Sequence, residues 1–518
     1  MRRIFLLLAA LAPLIGCESQ TSTEAPVKSA KEPAKLAGPK AAPLMAGVAK
    51  VDITHPTAIP VNDRLFAKAL VLKSGATAVV IVTIDAVAIG EIGSIGNDYL
   101  GKVRGKLQKE LGIEPASVII NASHCHGTVC GDVDEKTFQA VKEATSNMVP
   151  VTVGTGTGQE NRVSENRRLK MKNGKEIDVR HAYSLPPDEE VAEVGPIDPQ
   201  IGLLKIDKLD GKTLAVVYNF ACHPIMGVPG GGNTADITGF ASKVIENNLS
   251  DGTIALFVQG CGGDINPISY KEAHTPRNAE PLGSMLGLSA LEGIRKIKTG
   301  EPGRLTVINE KILLPRANLA ERIESLQAEQ NKLLRSLRGT SLNLKTFLPL
   351  IVKYELDNDF PSNSSHRYLH EKKLGHEEMK ALDATNRRNM KAYIENIHVM
   401  EALTRNQINL ALLKMHDAAN LAAGRKPMVV EVVGMRIGEF VLITFPGELT
   451  VEIGLGIKKT SPHKHTFVAG YTNGYIYYSP TAKQLQNVGG AQEDSDCRLA
   501  PEWQKLFEDK VVELLKKL

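Results

Sequence analysis

Val118-Ile-Ile-Asn-Ala-Ser-His-Cys-His-Gly-Thr-Val-Cys130 begins as an apolar, strand-like run and stops at His124-Cys-His126. Side chains on an extended backbone alternate faces, so two imidazoles one residue apart point the same way, with Cys125 on the opposite face. This is the geometry of a metal-ligand or acid/base pair; the alternative is two polar residues that close a strand.

Upstream, residues 78–85 form another near-continuous apolar run, as expected of a strand covered on both faces. Tyr99, Leu100, Val103, Leu107 and Leu111 recur at helical spacing between the two runs. Strand, helix and strand make a βαβ unit, which places His124 and His126 just past a strand's carboxyl end, where open α/β sheets bind ligands. The pattern recurs downstream. Residues 201–206 and 214–220 predict a hairpin around Asp210-Gly211, and its second strand runs into Ala221-Cys-His-Pro224. A helix with Phe240, Val244, Ile245 and Leu249 on one face leads to a strand over 253–258 that ends at Gln259-Gly-Cys-Gly-Gly-Asp-Ile-Asn-Pro267. Later strands over 428–433 and 439–445 end at Pro446-Gly-Glu448, and 465–471 leads into Thr472-Asn-Gly-Tyr-Ile-Tyr-Tyr478. The fold class is therefore α/β, with mixed sheets, covering helices and polar clusters collected at strand ends. Residues 317–424 repeat leucines and charges at helical spacing and read as a long helical insertion, either a hairpin covering a sheet or a lid. It divides an α/β domain of residues 44–316 and 425–518. His366, His370 and His376 within it are expected at the surface.

With 518 residues and 42% hydrophobic content the chain can bury a large core. Sixty-two basic against 58 acidic residues leave a formal charge of +4, without the dense basic, aromatic-interleaved patch of a nucleic-acid binder. Arg2-Arg3 and the apolar run over 4–15, too short to span a bilayer, mark residues 1–17 as a secretory signal. Its end, Leu14-Ile15-Gly16-Cys17, resembles the lipobox of bacterial lipoproteins, which implies lipidation of Cys17. Residues 18–43, rich in Ser, Thr, Glu, Pro and Lys, read as a flexible tether. The expected location is a bacterial cell envelope, lipid-anchored and otherwise soluble. Cys125, Cys130, Cys222, Cys261 and Cys497 remain, an odd number, so at least one stays unpaired within the chain.

Two imidazoles, a carboxylate and an open position suit Zn²⁺, which acidifies water and polarises a carbonyl. Taken in order, Ala49-Lys-Val-Asp-Ile-Thr54, Ser123-His-Cys-His-Gly127, Phe220-Ala-Cys-His-Pro224, Gly263-Asp-Ile-Asn-Pro267, Phe445-Pro-Gly-Glu448 and Asn473-Gly-Tyr-Ile-Tyr-Tyr478 resemble the motifs of the neutral/alkaline non-lysosomal ceramidase amino-terminal domain. The resemblance runs over 47–493, excepting most of the insertion. It implies a zinc site of His124, His223, Glu448 and Tyr478, His126 as general acid/base, and Arg167 as the arginine that approaches the site. It also implies hydrolysis of a linear amide bond in a lipid or other small-molecule amide.

The departures carry information too. Asn266 stands where that family has the serine of G-D-x-S-P, and an amide donates a hydrogen bond but is no nucleophile. Gly490-Ala-Gln-Glu493 lacks the tyrosine of Y-E-A. The expectation is attack by zinc-activated water, with Asp264 or His126 taking its proton; the alternative is an inactive metal- or ligand-binding envelope lipoprotein of the same fold.

Overall fold

The computed structural model describes residues 43–179, 186–227, 233–268, 270, 277–300, 304–356, 365–487 and 490–518. The signal-like segment, Cys17 and all of the tether up to residue 42 lie outside these.

The apolar runs become the central strands of an eight-stranded mixed sheet. Its order is Ile254–Gln259, Thr213–Phe220, Gln200–Lys208, Val149–Gln159, Met45–Asp52, Phe66–Ser74, Thr77–Ile84 and Val118–Ala122. The two outermost pairs are parallel and the inner ones antiparallel. Thr77–Ile84, the helix Tyr99–Leu111 and Val118–Ala122 form the expected βαβ unit. A second sheet of four strands, Leu305–Leu314, Met428–Ile437, Phe440–Thr444 and Thr466–Ala469, packs against one face of the first. The packed seam includes Leu70, Ile81, Leu204, Val217, Met435, Leu442 and Phe467. Helices Tyr99–Leu111, Val133–Ser146, Asp236–Asn247 and Glu280–Lys296 cover the outer face of the large sheet; Val451–Thr460 and Trp503–Lys517 cover that of the small one. Burying four apolar faces in one helix–sheet–sheet–helix stack is the layer logic of α/β domains.

Val149–Gln159 is a strand that the alternation of its residues does not announce. Gly154, Gly156 and Gly158 interrupt it because other chain segments press on it there. A Cβ on Gly156 would sit 2.7 Å from the Ile297 side chain, and one on Gly154 2.6 Å from the Lys298 carbonyl oxygen.

Between Leu305–Leu314 and Met428–Ile437 run the helices Ala320–Ser336, Leu344–Leu356, Ser365–Leu374 and the 45-residue Glu378–Ala422. Among the described residues, neither apolar cluster of these helices includes a residue of either sheet. Their apolar contacts are mutual, in a cluster around Leu319 and Leu413 and another around Phe347, Tyr354 and Met390. The carboxyl-terminal half of the long helix grips residues 490–498. Asn409 Nδ2 donates to the Gly490 carbonyl (3.1 Å), His416 Nε2 lies 2.7 Å from Asp496 Oδ1, and Asn420 Nδ2 donates to the Arg498 carbonyl (3.0 Å). His366, His370 and His376 are exposed. Cys125, Cys130, Cys222, Cys261 and Cys497 are all buried and unpaired, so disulfides do not staple the described fold.

Candidate metal centre

The strand before the first histidine pair ends at Ala122, and the extended backbone expected through His124 is not found. His124 instead has φ 67°, a left-handed conformation costly for a residue with a Cβ. Backbone bonds hold it there: Ser123 N donates to the Ile84 carbonyl and His124 N to that of Ala86, both at 2.9 Å. The turn buries the His124 ring while leaving His126 exposed, and the two rings still meet edge to face with centroids 5.3 Å apart. Cys125 packs into the apolar core.

Three chain segments, far apart in sequence, meet at this turn. His223 follows the strand Thr213–Phe220, and Glu448 lies in the two-residue strand Glu448–Leu449 after Phe440–Thr444. His124, His223 and Glu448 each offer one ligand atom, all within 4.8 Å of one another, and all three residues are buried. Glu448 Oε2 lies 3.2 Å from His223 Nε2 and 3.7 Å from His124 Nε2. The opposite ring nitrogens are engaged with carbonyls: His124 Nδ1 with Val87 (2.6 Å) and His223 Nδ1 with Ile265 (3.0 Å). A carbonyl only accepts, so each Nδ1 carries the proton and each Nε2 lone pair faces the carboxylate. This is the outer-shell arrangement of metal-bound histidines.

Electrostatics agree with that donor set. Burial pushes the His124 imidazole down to about 4, which keeps it neutral, the form that ligates. Burial pushes the Glu448 carboxyl up, but a positive charge held at His124 or His223, and the bond from the Tyr475 hydroxyl, bring it well below the usual carboxylate range, as a cation bound between them would. Tyr475 Oη donates to Glu448 Oε1 and Tyr471 Oη to Oε2 (3.0 Å). Burial, reinforced by Glu448, keeps both phenols protonated. A buried trio of two neutral imidazoles and a carboxylate fits a divalent ion, zinc included, and leaves room for a fourth donor.

Tyr478 stands beside the trio because Glu448–Leu449 and Tyr478–Ser479 pair in parallel, Glu448 opposite Tyr478. Its Oη lies 3.4 Å from His223 Nε2 and accepts from Arg167 Nη2 at 3.2 Å. Arg167 is 1% exposed, and its guanidinium also donates to Asn266 Oδ1 (3.0 Å), Glu493 Oε1 (2.6 Å) and the Gly263 carbonyl. Burial opposes its charge, but Tyr478 and Glu493 hold its pKa well above the usual value. Asn266 keeps one unspent group: its buried Nδ2 has no hydrogen-bond partner.

Asp264 sits on the same turn, but both oxygens are engaged, Oδ1 by Val451 N (2.8 Å) at the start of the helix Val451–Thr460 and Oδ2 by Asn166 Nδ2 (3.1 Å). Burial raises its pKa to about 6. Gly263 allows this turn to touch the Pro446-Gly-Glu448 turn, since a Cβ there would lie 2.7 Å from the Glu448 carbonyl oxygen.

The motifs do not single out Gln259, which ties the two histidine-bearing strand ends together. Its Nε2 donates to the Ser123 and Cys222 carbonyls at 3.2 and 2.7 Å, the residues just before His124 and His223. Its backbone N–H donates to Asn121 Oδ1 (2.8 Å), bringing the two edges of the large sheet together. Replacing Gln259 by Leu removes these two bonds, worth about 1 kcal/mol each, together with those its Oε1 accepts from Cys222 N (3.4 Å) and Gly260 N (3.0 Å), and loosens the spacing of the ligands. Metal affinity is expected to fall roughly 10- to 100-fold, as for other outer-shell losses, in a metal-buffered titration of a variant that still folds.

No family model matches the chain. Among solved structures, neutral ceramidase from Pseudomonas aeruginosa superposes with a TM-score of 0.58 at 17% identity, over 92% of this chain and 75% of that one. A ceramidase complexed with C2 superposes with a TM-score of 0.57 at 19% identity, over 92% of this chain and 76% of the other. The chain therefore has a ceramidase-like α/β fold, with a buried His-His-Glu group suited to a metal ion at the ends of its strands.

Proposed function

We propose that the protein is a zinc-dependent hydrolase of a linear amide bond, with a lipid amide as the substrate class, held at a bacterial cell envelope through a lipid on Cys17. One observation carries the catalytic reading: His124, His223 and Glu448 converge in a buried group whose imidazole Nδ1 atoms are already engaged by the Val87 and Ile265 carbonyls. The two superposing ceramidases support the choice of an amide. Zinc in this group, with Tyr478 as the fourth donor, would polarise the scissile carbonyl and acidify the attacking water.

The chain's own residues do the rest. His126, exposed at the rim and edge-on to His124, takes the proton from water and returns it to the leaving amine. Asn266 Nδ2, buried and unpartnered, donates to the oxygen on which negative charge develops. Arg167 fixes both Asn266 and Tyr478 through its fork of donors. Asp264, with both oxygens occupied, fixes the turn that carries Asn266, which leaves proton transfer to His126.

Asn266 also carries the alternative, a metal- or ligand-binding protein of this fold without catalysis, because the turn offers an amide where a nucleophile would stand. An N-acyl lipid assay on Asn266→Ala separates the two. As an oxyanion donor, Asn266 contributes roughly 10²- to 10³-fold to kcat, with KM nearly unchanged. Absence of turnover by the metal-loaded wild-type chain on N-acyl lipids, acyl amides and esters would establish the alternative. The anchor has its own test: Cys17→Ser should move the protein from the membrane to the soluble fraction.

A further inference from the structure

We infer that the far end of the helical insertion is a docking surface for an anionic phospholipid membrane. Leu344, Leu348, Val352 and Leu356 recur every fourth residue along Leu344–Leu356 and are between 51% and 83% exposed. At 3.6 residues per turn, the three steps between them spread over an arc of about 120°, so the four side chains form one stripe. The opposite side of this helix is satisfied: Phe347 packs on Tyr393 with centroids 4.5 Å apart, and the Tyr354 hydroxyl donates to Asp383. The stripe is thus not the face that folds the insertion. Leu369 and Leu374 on the helix Ser365–Leu374 are exposed as well, at 65% and 61%.

Charge chooses the partner. The described side chains of the two helices include four basic ones, Lys345, Lys353, Lys372 and Lys373, against Glu355 and Glu371. Of these, Lys345, Lys372 and Lys373 are exposed. An apolar stripe beside lysines is the composition of a helix that lies in a lipid interface and is drawn there by anionic headgroups. No described helix is long and apolar enough to cross a membrane, so contact at the surface is the fitting mode. Position favours it too. The helix Glu378–Ala422 is fixed to residues 490–498 near His416, and Asp383, against the Leu344–Leu356 helix, lies thirty-three residues earlier, about 50 Å along the axis at 1.5 Å per residue. The stripe therefore sits at the end of an arm, clear of that anchorage. The inference does not depend on the proposed hydrolysis.

The chain's single tryptophan, Trp503, is fully buried, so a reporter on the stripe reads its own surroundings. The test uses the full chain with Cys17→Ser and Leu348→Trp, mixed with vesicles of phosphatidylglycerol and phosphatidylethanolamine. The expected result is a blue shift of the added tryptophan's emission and quenching by brominated acyl chains. Both should be lost when Lys345, Lys372 and Lys373 are replaced by Glu, and weakened about tenfold in phosphatidylcholine vesicles. Unchanged emission with anionic vesicles overturns the inference. So does a blue shift without lipid that grows with protein concentration as the chain sediments as a dimer, because the stripe would then be covered by a second copy.

Discussion

Glu448→Gln should leave a folded protein that purifies without stoichiometric metal and is inactive. The substitution keeps the shape of the side chain, and a carboxamide oxygen still accepts from one of the two tyrosines that now share the carboxylate. What it removes is the negative charge facing His124 and His223. A Lewis acid worth several kcal/mol of transition-state stabilisation corresponds, at about 1.4 kcal/mol per tenfold, to a loss of roughly 10³-fold or more in kcat/KM. Metal content should drop in parallel in His124→Ala and His223→Ala. Atomic spectrometry of the purified variants checks this, alongside circular dichroism to confirm folding. Retained stoichiometric metal in all three would remove the trio from the metal site.

The second large effect concerns stability. Arg167 and Glu493 form a fully buried ion pair, and Arg168 lies beside it with Nη2 2.6 Å from Asp494 Oδ1 and 3.7 Å from Glu493. Arg167→Met leaves the Glu493 carboxylate buried without that partner and strips a donor from Asn266, Tyr478 and the Gly263 carbonyl. Breaking such a pair from one side costs about 3–5 kcal/mol, and the denaturant midpoint should fall accordingly. Adding Glu493→Gln should recover part of that loss, because the stranded charge is removed with its partner. Strict additivity of the two single losses would mean that the residues do not act as a pair. Catalysis should not return in the double variant, since Asn266 and Tyr478 still lack the fork that orients them.

Much of the architecture is legible where burial on both faces writes itself as nearly continuous apolar residues, as at Thr77–Ile84, Val118–Ala122 and Thr213–Phe220. The strand Val149–Gln159 is illegible because close approach by Ile297 and Lys298 demands glycine, which erases strand propensity. The helices Val133–Ser146 and Glu280–Lys296 escape the periodicity argument as well; the second includes glycines at 283, 287 and 293 that press against the neighbouring helix and sheet.

In the site, His124, His223 and Glu448 are legible because turn chemistry follows each strand end. Their supports are not. The Val87 and Ile265 carbonyls belong to the backbone, and Gln259 acts across more than 130 residues. Tyr475 reaches Glu448 through a segment with positive φ at Tyr471, Asn473 and Tyr477. Even the histidine pair meets for a reason other than alternation, through the left-handed turn at His124. The insertion is legible as helical but not as to what it packs on, because its exposed and buried leucines repeat with the same period.

Cobalt substitution decides whether His124, His223 and Glu448 hold one catalytic metal ion. Metal-free protein titrated with Co²⁺ should develop the intense visible absorption of a low-coordinate site, saturating at one ion per chain. Zn²⁺ should abolish that absorption as it restores hydrolysis, and Glu448→Gln should never develop it. A titration that shows only the weak absorption of hexa-aqua cobalt, or saturates equally in Glu448→Gln, would mean that these three residues do not hold the ion.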